Sequence, residues 1–332
     1  EERNIAECVH SLLAQDYPNF EVLVLDDQSE DGTLEVLEGI AAKHAGLRVM
    51  NGEPLPGNVV GKNWACSQLA RQAGGELLLF TDADTRHHPE MLRTVVTALL
   101  GEGADMLTGH PRQEMHSWGE RLLVPFFSWV VFSFIPLALG YRLRLTALAS
   151  AVGQLMLFRR AAYQAIEGHE SVGASVVDDL GLVRQIIQAR LRWRVVHIAD
   201  LVSCRMYRTS REAMDGFTKN LFAVFDQRLV PFLFSFYWIL LMFWKPLIIT
   251  VMDASGWTSH DPPVVMALCL ALAVILWLVH YANMGIPTWL AFFYPLTVLA
   301  NFGVALRSMV HSLGGHSEWK GRRITRSRWK WF

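Results

Sequence analysis

Carboxylates end two apolar runs in this chain. Val24-Leu25 passes into Asp26-Asp27, with Glu30 and Asp31 close behind, and Leu79-Phe80-Thr81 passes into Asp82-Ala83-Asp84. A third acidic pair, Asp178-Asp179, follows Val176-Val177. Short buried apolar runs read as strands, and strand tips are where α/β sheets bind ligands. Carboxylates gathered there suit a hard divalent cation and a nucleotide diphosphate better than they suit stability. In Asp82-Ala83-Asp84 the period of two along an extended segment points both side chains to one side. The plainer alternative is capping. Asp26, Asp27 and Asp31 could close a turn and start the next helix, and Asp178 or Asp179 could N-cap a helix over Leu180–Ala189. His87 and His88 read as exposed turn residues rather than metal ligands, and Lys62 as either a solvated helix-start lysine or a nucleotide contact.

The elements that must position these residues alternate. Phe20–Leu25, Leu47–Met50, Glu76–Phe80 and Asp105–Thr108 read as strands. Between them Thr33–His44, Asn63–Ala73 and Glu90–Leu100 read as helices, and an amphipathic helix with Ile5, Cys8, Leu12 and Leu13 inward comes first. Such alternation predicts an α/β fold with a Rossmann-like, mostly parallel sheet and helices on both faces. A fold of this kind normally opens with a strand, so the chain reads as lacking its first strand. Residues 151–200 return to α/β character, with Gln154–Phe158 as a strand and Leu180–Ala189 as a helix.

Composition separates this part from the rest of the chain. The chain has 332 residues, 52% of them hydrophobic, and a mean hydropathy of +0.24, high for a soluble globule. Its net charge of −1 hides an acidic head and a basic tail, and it argues against nucleic acid as a partner. The four cysteines form no CxxC pair, so neither a zinc site nor a disulfide framework is indicated. Leu229–Met252, Val264–Ala282 and Pro287–Leu306 are long apolar runs, about what ~30 Å of hydrocarbon requires. If all three cross the membrane and the catalytic part is cytoplasmic, the Lys/Arg-rich tail ends outside, against the positive-inside tendency. The Lys245-Pro246 break therefore suggests that Leu229–Met252 lies in or re-enters the interface. The Phe/Trp-rich Arg121–Gly140 segment, interrupted by Pro125 and Pro136, reads as interfacial.

Motifs in a fixed order carry a resemblance. Ser11-Leu12-Leu13-Ala14-Gln15-Asp16-Tyr17-Pro18, Val24 to Ser29, Gly61-Lys62-Asn63-Trp64-Ala65-Cys66, Phe80 to Thr85 and Gly153 to Arg160 succeed one another in the order seen in family 2 glycosyltransferases with a GT-A fold. The chain is most similar to the membrane-bound members of the ceramide glucosyltransferase and bacterial carotenoid glycosyltransferase type.

The resemblance implies an enzyme moving a sugar from a UDP-sugar to a lipid-type acceptor, with inversion. Asp27 would accept hydrogen bonds from the donor's uracil and ribose, and Lys62 would reach the nucleotide. Asp84 would hold Mg²⁺ or Mn²⁺ bridging the diphosphate, with Asp82 on the ribose or the metal. Asp179 would be the base, with Asp178 replacing the family's usual glutamate. Gln154, Asp178, His169 and Trp193 are candidates for the acceptor site. The implied organisation is a cytoplasmic catalytic domain over residues 1–227 with an interfacial 121–140 segment, a membrane domain over 228–310 and a basic tail over 311–332. That places the protein in the cell (inner) membrane. Two departures and one further likeness stand out. The Gln-x-x-Arg-Trp motif of processive members is replaced by Asp215-Gly216-Phe217-Thr218-Lys219-Asn220, leaving Lys219 as the candidate for its positive charge. Arg190 stands where the family has a glycine after the third motif. Trp319-Lys320-Gly321-Arg322 resembles a closing motif but also reads as a basic membrane anchor. The rival readings are a processive polysaccharide synthase, which would want that missing motif, and a non-catalytic nucleotide-sugar-binding scaffold, which would have lost an acidic motif.

Overall fold

The computed structural model describes residues 1–57, 59–256, 261–314 and 329–332, with backbone alone at 318–319 and 322–323. Lys320 and Gly321 of the tail motif lie outside the described residues. In chain order the elements are α1 (Glu2–Leu13), β1 (Val22–Asp26), α2 (Thr33–Ala41), β2 (Leu47–Asn51), α3 (Gly61–Gln72), β3 (Leu77–Phe80), β4 (Thr85–His87), α4 (Met91–Gly101), β5 (Met106–His110) and β6 (Arg112–Gln113). Next come α5 (Trp118–Leu123), α6 (Pro125–Phe134), α7 (Leu137–Leu143), β7 (Met156–Arg159), α8 (Arg160–Ala165), α9 (Asp178–Gln188), β8 (Trp193–His197) and β9 (Val202–Cys204). The last helices are α10 (Ser210–Val224), α11 (Leu229–Ala254), α12 (Pro263–Asn283) and α13 (Tyr294–Leu313).

Two compact units result, Glu1–Glu114 with Pro136–Met206, and Met115–Ile135 with Tyr207–Phe332. In the first, β1 and β2 pair in parallel, with Val22 opposite Leu47. A four-stranded sheet runs β3-β7-β5-β8, and a three-stranded one β4-β9-β6. The expected α/β layering holds, but the pairing is mixed rather than mostly parallel. Strand β7 lies antiparallel between β3 and β5. A single crossover helix would force a parallel return. Residues 114–155 instead carry the chain through several short helices, and β7 enters from the opposite end.

Alternation along the four-stranded sheet builds two cores. Met106, Met156 and Phe158 face Leu182, Val183, Ile186 and Ile187 of α9. Leu107, Leu155 and Leu157 face Met91, Val95, Val96 and Leu99 of α4. Both helices bury residues at i, i+4 spacing on one stripe, and each such side chain contributes about 1.5–3 kcal/mol when fully buried. A third cluster joins Ile5 and Val9 of α1 to Leu37 and Ile40 of α2 over β1 and β2.

The second unit is helical. Three segments in its described residues, Leu229–Ala254, Pro263–Asn283 and Thr288–Leu313, are long and apolar enough to cross a bilayer. Helix α11 runs through Pro246 without a break; the Thr250 hydroxyl donates to the Pro246 carbonyl at 2.8 Å, and Lys245 pairs with Asp261. Trp129 stacks on Trp277 at 4.1 Å. Polar groups in an apolar surround need internal partners, and several find them within this unit. Asn301 Nδ2 donates to the carbonyls of Leu122 and Thr297, and Ser128 Oγ lies 3.0 Å from His280 Nε2.

Candidate active site

The first acidic motif divides its labour. Asp26 is buried and accepts the Ser29 amide, holding the turn after β1, in which Gln28 takes a left-handed φ of 58°. Asp31 accepts the amide and hydroxyl of Thr33 at the start of α2. These two serve the capping reading. Asp27 is exposed beyond the strand, and its carboxylate lies over two glycines: a Cβ on Gly61 would come within 2.9 Å of Asp27 Oδ2, and one on Gly52 within 3.4 Å of Oδ1. Gly61 therefore lets the first motif approach the helix that carries Lys62.

Lys62 joins the second and third motifs. Its Nζ is 2.8 Å from Asp82 Oδ1 and 3.9 Å from Asp178 Oδ2. Burial opposes its charge, but Asp82 and Asp178 outweigh that and hold the ammonium protonated well above the usual lysine range. Gly153 closes the group. A Cβ there would stand 3.0 Å from Lys62 Nζ, and its amide donates to Asp179 Oδ2 at 3.2 Å. Asp178 and Asp179 occupy the first turn of α9, whose N-cap is Val177. Neither is the N-cap itself; Asp179 Oδ1 accepts the Leu180 amide at 2.7 Å, so the helix start orients the carboxylate. Burial, then the neighbouring Asp178 charge, raises Asp179 to about 7. Asp178 is also pushed up, by burial above all, with Lys62 pulling against it.

Asp84 is held differently. Burial, and then the charge of Asp82, raises it to about 6, and its Oδ1 is buried with no hydrogen-bond partner. An orphaned carboxylate oxygen beside a second carboxylate suits a hard divalent cation. Among the described residues no cluster of three or more His, Cys, Asp or Glu side chains could enclose one. A cation at Asp82 and Asp84 would need its remaining oxygens from a substrate. The loop itself is pinned from below: Thr85 Oγ1 donates to the Asp82 carbonyl at 2.6 Å, and Thr81 Oγ1 to the Gln154 carbonyl at 2.9 Å.

The other expected residues are held in different ways. His87 is not an exposed turn histidine: strand β4 turns it inward, Ser11, Thr81 and Thr85 surround its ring, and burial lowers it to about 4. His88 is exposed as expected. His169 is 1% exposed, hydrogen-bonded to Tyr163 at 2.8 Å and packed against Phe80; its Nε2 stays 3.9 Å from Asp178. Gln154 is buried, its amide donating to Cys204 Sγ at 3.2 Å, and Trp193 is buried against Tyr141. Lys219 is an exposed residue of α10 in the second unit.

The chain itself has counterparts among known proteins. The family described as "Glycosyl transferase family 2" matches residues 1–167. This chain belongs to glycosyltransferase family 2. Over 230 residues it is 24% identical to 4,4'-diaponeurosporenoate glycosyltransferase of Staphylococcus haemolyticus, covering 67% of this chain and 58% of that one. Over 112 residues it is 30% identical to glycosyltransferase AglE of Haloferax volcanii, 33% of this chain and 36% of that one. The chain thus spans between about a third and three fifths of these two relatives. Among solved structures, mannosyltransferase PcManGT from Pyrobaculum calidifontis, in complex with GDP-Man and Mn2+, superposes with a TM-score of 0.53 at 19% identity, over 94% of this chain and 84% of that one. The fold is that of the GT-A glycosyltransferases.

Two residues of this cluster were not singled out from the sequence as site candidates. Asn63, 1% exposed, points its Nδ2 at the carbonyls of Val172, Gly173 and Ser175, and so ties the Gly61-Lys62 turn to the loop that delivers Asp178 and Asp179. A polar residue on the first turn of α3, directly after Gly-Lys, was the available signal. Gly153 had a weaker one, because its role is an approach of backbone to charge that no side-chain pattern announces.

Proposed function

We propose that this chain moves a sugar from a UDP-sugar to a lipid-type acceptor at the membrane, with inversion at the anomeric carbon. The observation that carries the reading is the meeting of the second and third acidic motifs at Lys62 and Gly153, with Asp27 of the first against the adjoining Gly61. Structural carboxylates are seldom gathered in this way, since each raises the cost of ionising the next.

In this reading Asp27 accepts from the base and ribose, and Lys62 exchanges its contact with Asp82 for the donor's diphosphate. Asp84 and Asp82 would hold Mg²⁺ or Mn²⁺, which would supply positive charge for a departing diphosphate. Where the acceptor is a hydroxyl, Asp179 accepts its proton as the acceptor oxygen bonds to the anomeric carbon and the bond to UDP breaks; a carboxylate acceptor would attack without that transfer. The acid so formed and the released UDP balance the displacement. A carboxylate raised to about 7 is suited to this work near neutral pH. Support for the metal comes from the orphaned Asp84 oxygen and from the Mn2+ in PcManGT. Support for a lipid acceptor comes from the three long apolar segments and from the named acceptor of the diaponeurosporenoate relative. A catalytic domain over residues 1–227, cytoplasmic and attached to a membrane domain over 228–310, fits the Asp253–Pro263 stretch, which has no Lys or Arg.

Membranes containing the protein, given a panel of UDP- and GDP-sugars with total lipid extract, should form a new glycolipid visible by mass spectrometry from a UDP-sugar. Product from GDP-sugars alone overturns the donor assignment. Release of the protein from membranes by carbonate overturns the membrane assignment.

A further inference from the structure

Behind Asp84 lies a row of side chains that the displacement does not use. The three-stranded sheet sets Thr85 of β4 opposite Cys204 of β9, and Cys204 opposite Gln113 of β6. Thr85 takes the Asp82 carbonyl. Cys204 is 1% exposed, and its Sγ accepts from the Gln154 amide Nε2 at 3.2 Å. Gln154, 3% exposed, is fixed at its other end, where Oε1 accepts from Gln113 Nε2 at 3.1 Å. With its sulfur lone pair engaged by Gln154, the Cys204 thiol has its own proton to give, and the group it meets is the Asp84 carboxylate. Asp84 Oδ1 remains without a partner.

We propose that Cys204 is a positioning residue for Asp84: the chain Gln113, Gln154, Cys204 fixes the carboxylate so that Oδ1 faces the divalent cation of the donor complex. This rests on the reading of Asp84 as a cation ligand. The physical need is plain. A carboxylate with two equivalent oxygens turns freely about its bond, and a buried donor on one side removes that freedom before the cation arrives. The glutamine pair in turn fixes which way the thiol points. Gln154 has its amide spent on Cys204 and Gln113, so it contributes orientation here rather than a contact to acceptor.

The test uses the full-length protein in detergent, with Mn²⁺ and UDP as probes and free Mn²⁺ followed by electron paramagnetic resonance. Cys204→Val keeps size and removes the donor; Cys204→Ser keeps a donor; Gln154→Leu removes the support of the thiol. Outer-sphere partners of this kind are worth roughly 10- to 100-fold in metal affinity. Cys204→Val is expected to weaken Mn²⁺ binding about tenfold with its melting temperature nearly unchanged. Cys204→Ser should return most of that affinity, and Gln154→Leu should weaken binding in the same direction. In turnover the loss should appear in the Mn²⁺ concentration required, with kcat at saturating Mn²⁺ close to the parent. Equal affinity in the parent and Cys204→Val overturns the proposal, as does an equal loss in the valine and serine variants, which would mark packing alone. Asp84→Asn separates the two layers: if it binds Mn²⁺ as the parent does, the cation reading itself fails. If it is defective while Cys204→Val is normal, only the positioning role falls.

Discussion

Lys62 Nζ stands 2.8 Å from Asp82 Oδ1, so the second acidic motif carries its own counter-charge at one of its two carboxylates. Lys62→Met should therefore weaken use of the donor, with kcat/KM falling on the order of 100-fold, as for loss of one preorganised electrostatic contact. Lys62→Arg should recover only part, because a planar guanidinium cannot occupy the same point between Asp82 and Asp178. Initial rates across donor concentrations check this; a Lys62→Met enzyme with unchanged kcat/KM removes the lysine from donor binding.

Asp179→Asn preserves shape and one carbonyl oxygen for the Gly153 amide but cannot take a proton. Turnover should drop at least roughly 100-fold while donor affinity stays near that of the parent. If Asp179 only orients the start of α9, rate and affinity should both survive, because Asn serves that position about as well. Measuring both on one preparation decides.

The pH dependence comes from the raised value of Asp179, about 7. A base must be deprotonated, so kcat/KM should climb about tenfold per pH unit below 7 and level off above it. Stability runs the other way. The folded state holds this proton more tightly than the unfolded chain, so the contribution is complete below the ordinary aspartate range and is lost as pH rises towards 7. Asp178→Asn removes the second cause of the shift and should move the kinetic midpoint to lower pH. A midpoint that does not move would mean that Asp178 is not the charge Asp179 feels.

Asp84→Ala, or excess EDTA with the parent, should abolish turnover by on the order of 1000-fold or more. Full activity in EDTA would exclude divalent-cation dependence.

Arg190 offers a test of the fold rather than the chemistry. It sits at φ 59° just past α9, and the Arg190 and Leu191 amides return to the carbonyls of Ile187 and Ile186. This is a Schellman closure, which favours glycine. Arg190→Gly should stabilise by up to about 1 kcal/mol, the left-handed cost relieved less the entropy glycine adds. Thermal unfolding in detergent should then rise by roughly 2–4 °C. Arg190 thus makes a turn that favours glycine.

Sequence alone determined the order of the acidic motifs, the alternation of helix and strand, and the apolar segments after Arg228. Each is a local property: a period of two or 3.6, a run length, a charge at a strand tip. That is why β1, α2, β3, α4 and α9 fall within a few residues of where the pattern placed them. The tertiary structure decided what distance along the chain conceals. Strand β7 runs antiparallel because of the route its connection takes, and no residue in Met156–Arg159 encodes direction. His87 looked exposed because it neighbours polar residues, yet one step of strand alternation turns it into the core. Asp82 and Asp178 are 96 positions apart and share one lysine only because Asn63 gathers the carbonyls of 172, 173 and 175 onto α3. The chemistry was legible as residue types; the closeness that shifts Asp179 to about 7 exists only once the folded chain has excluded water from around them.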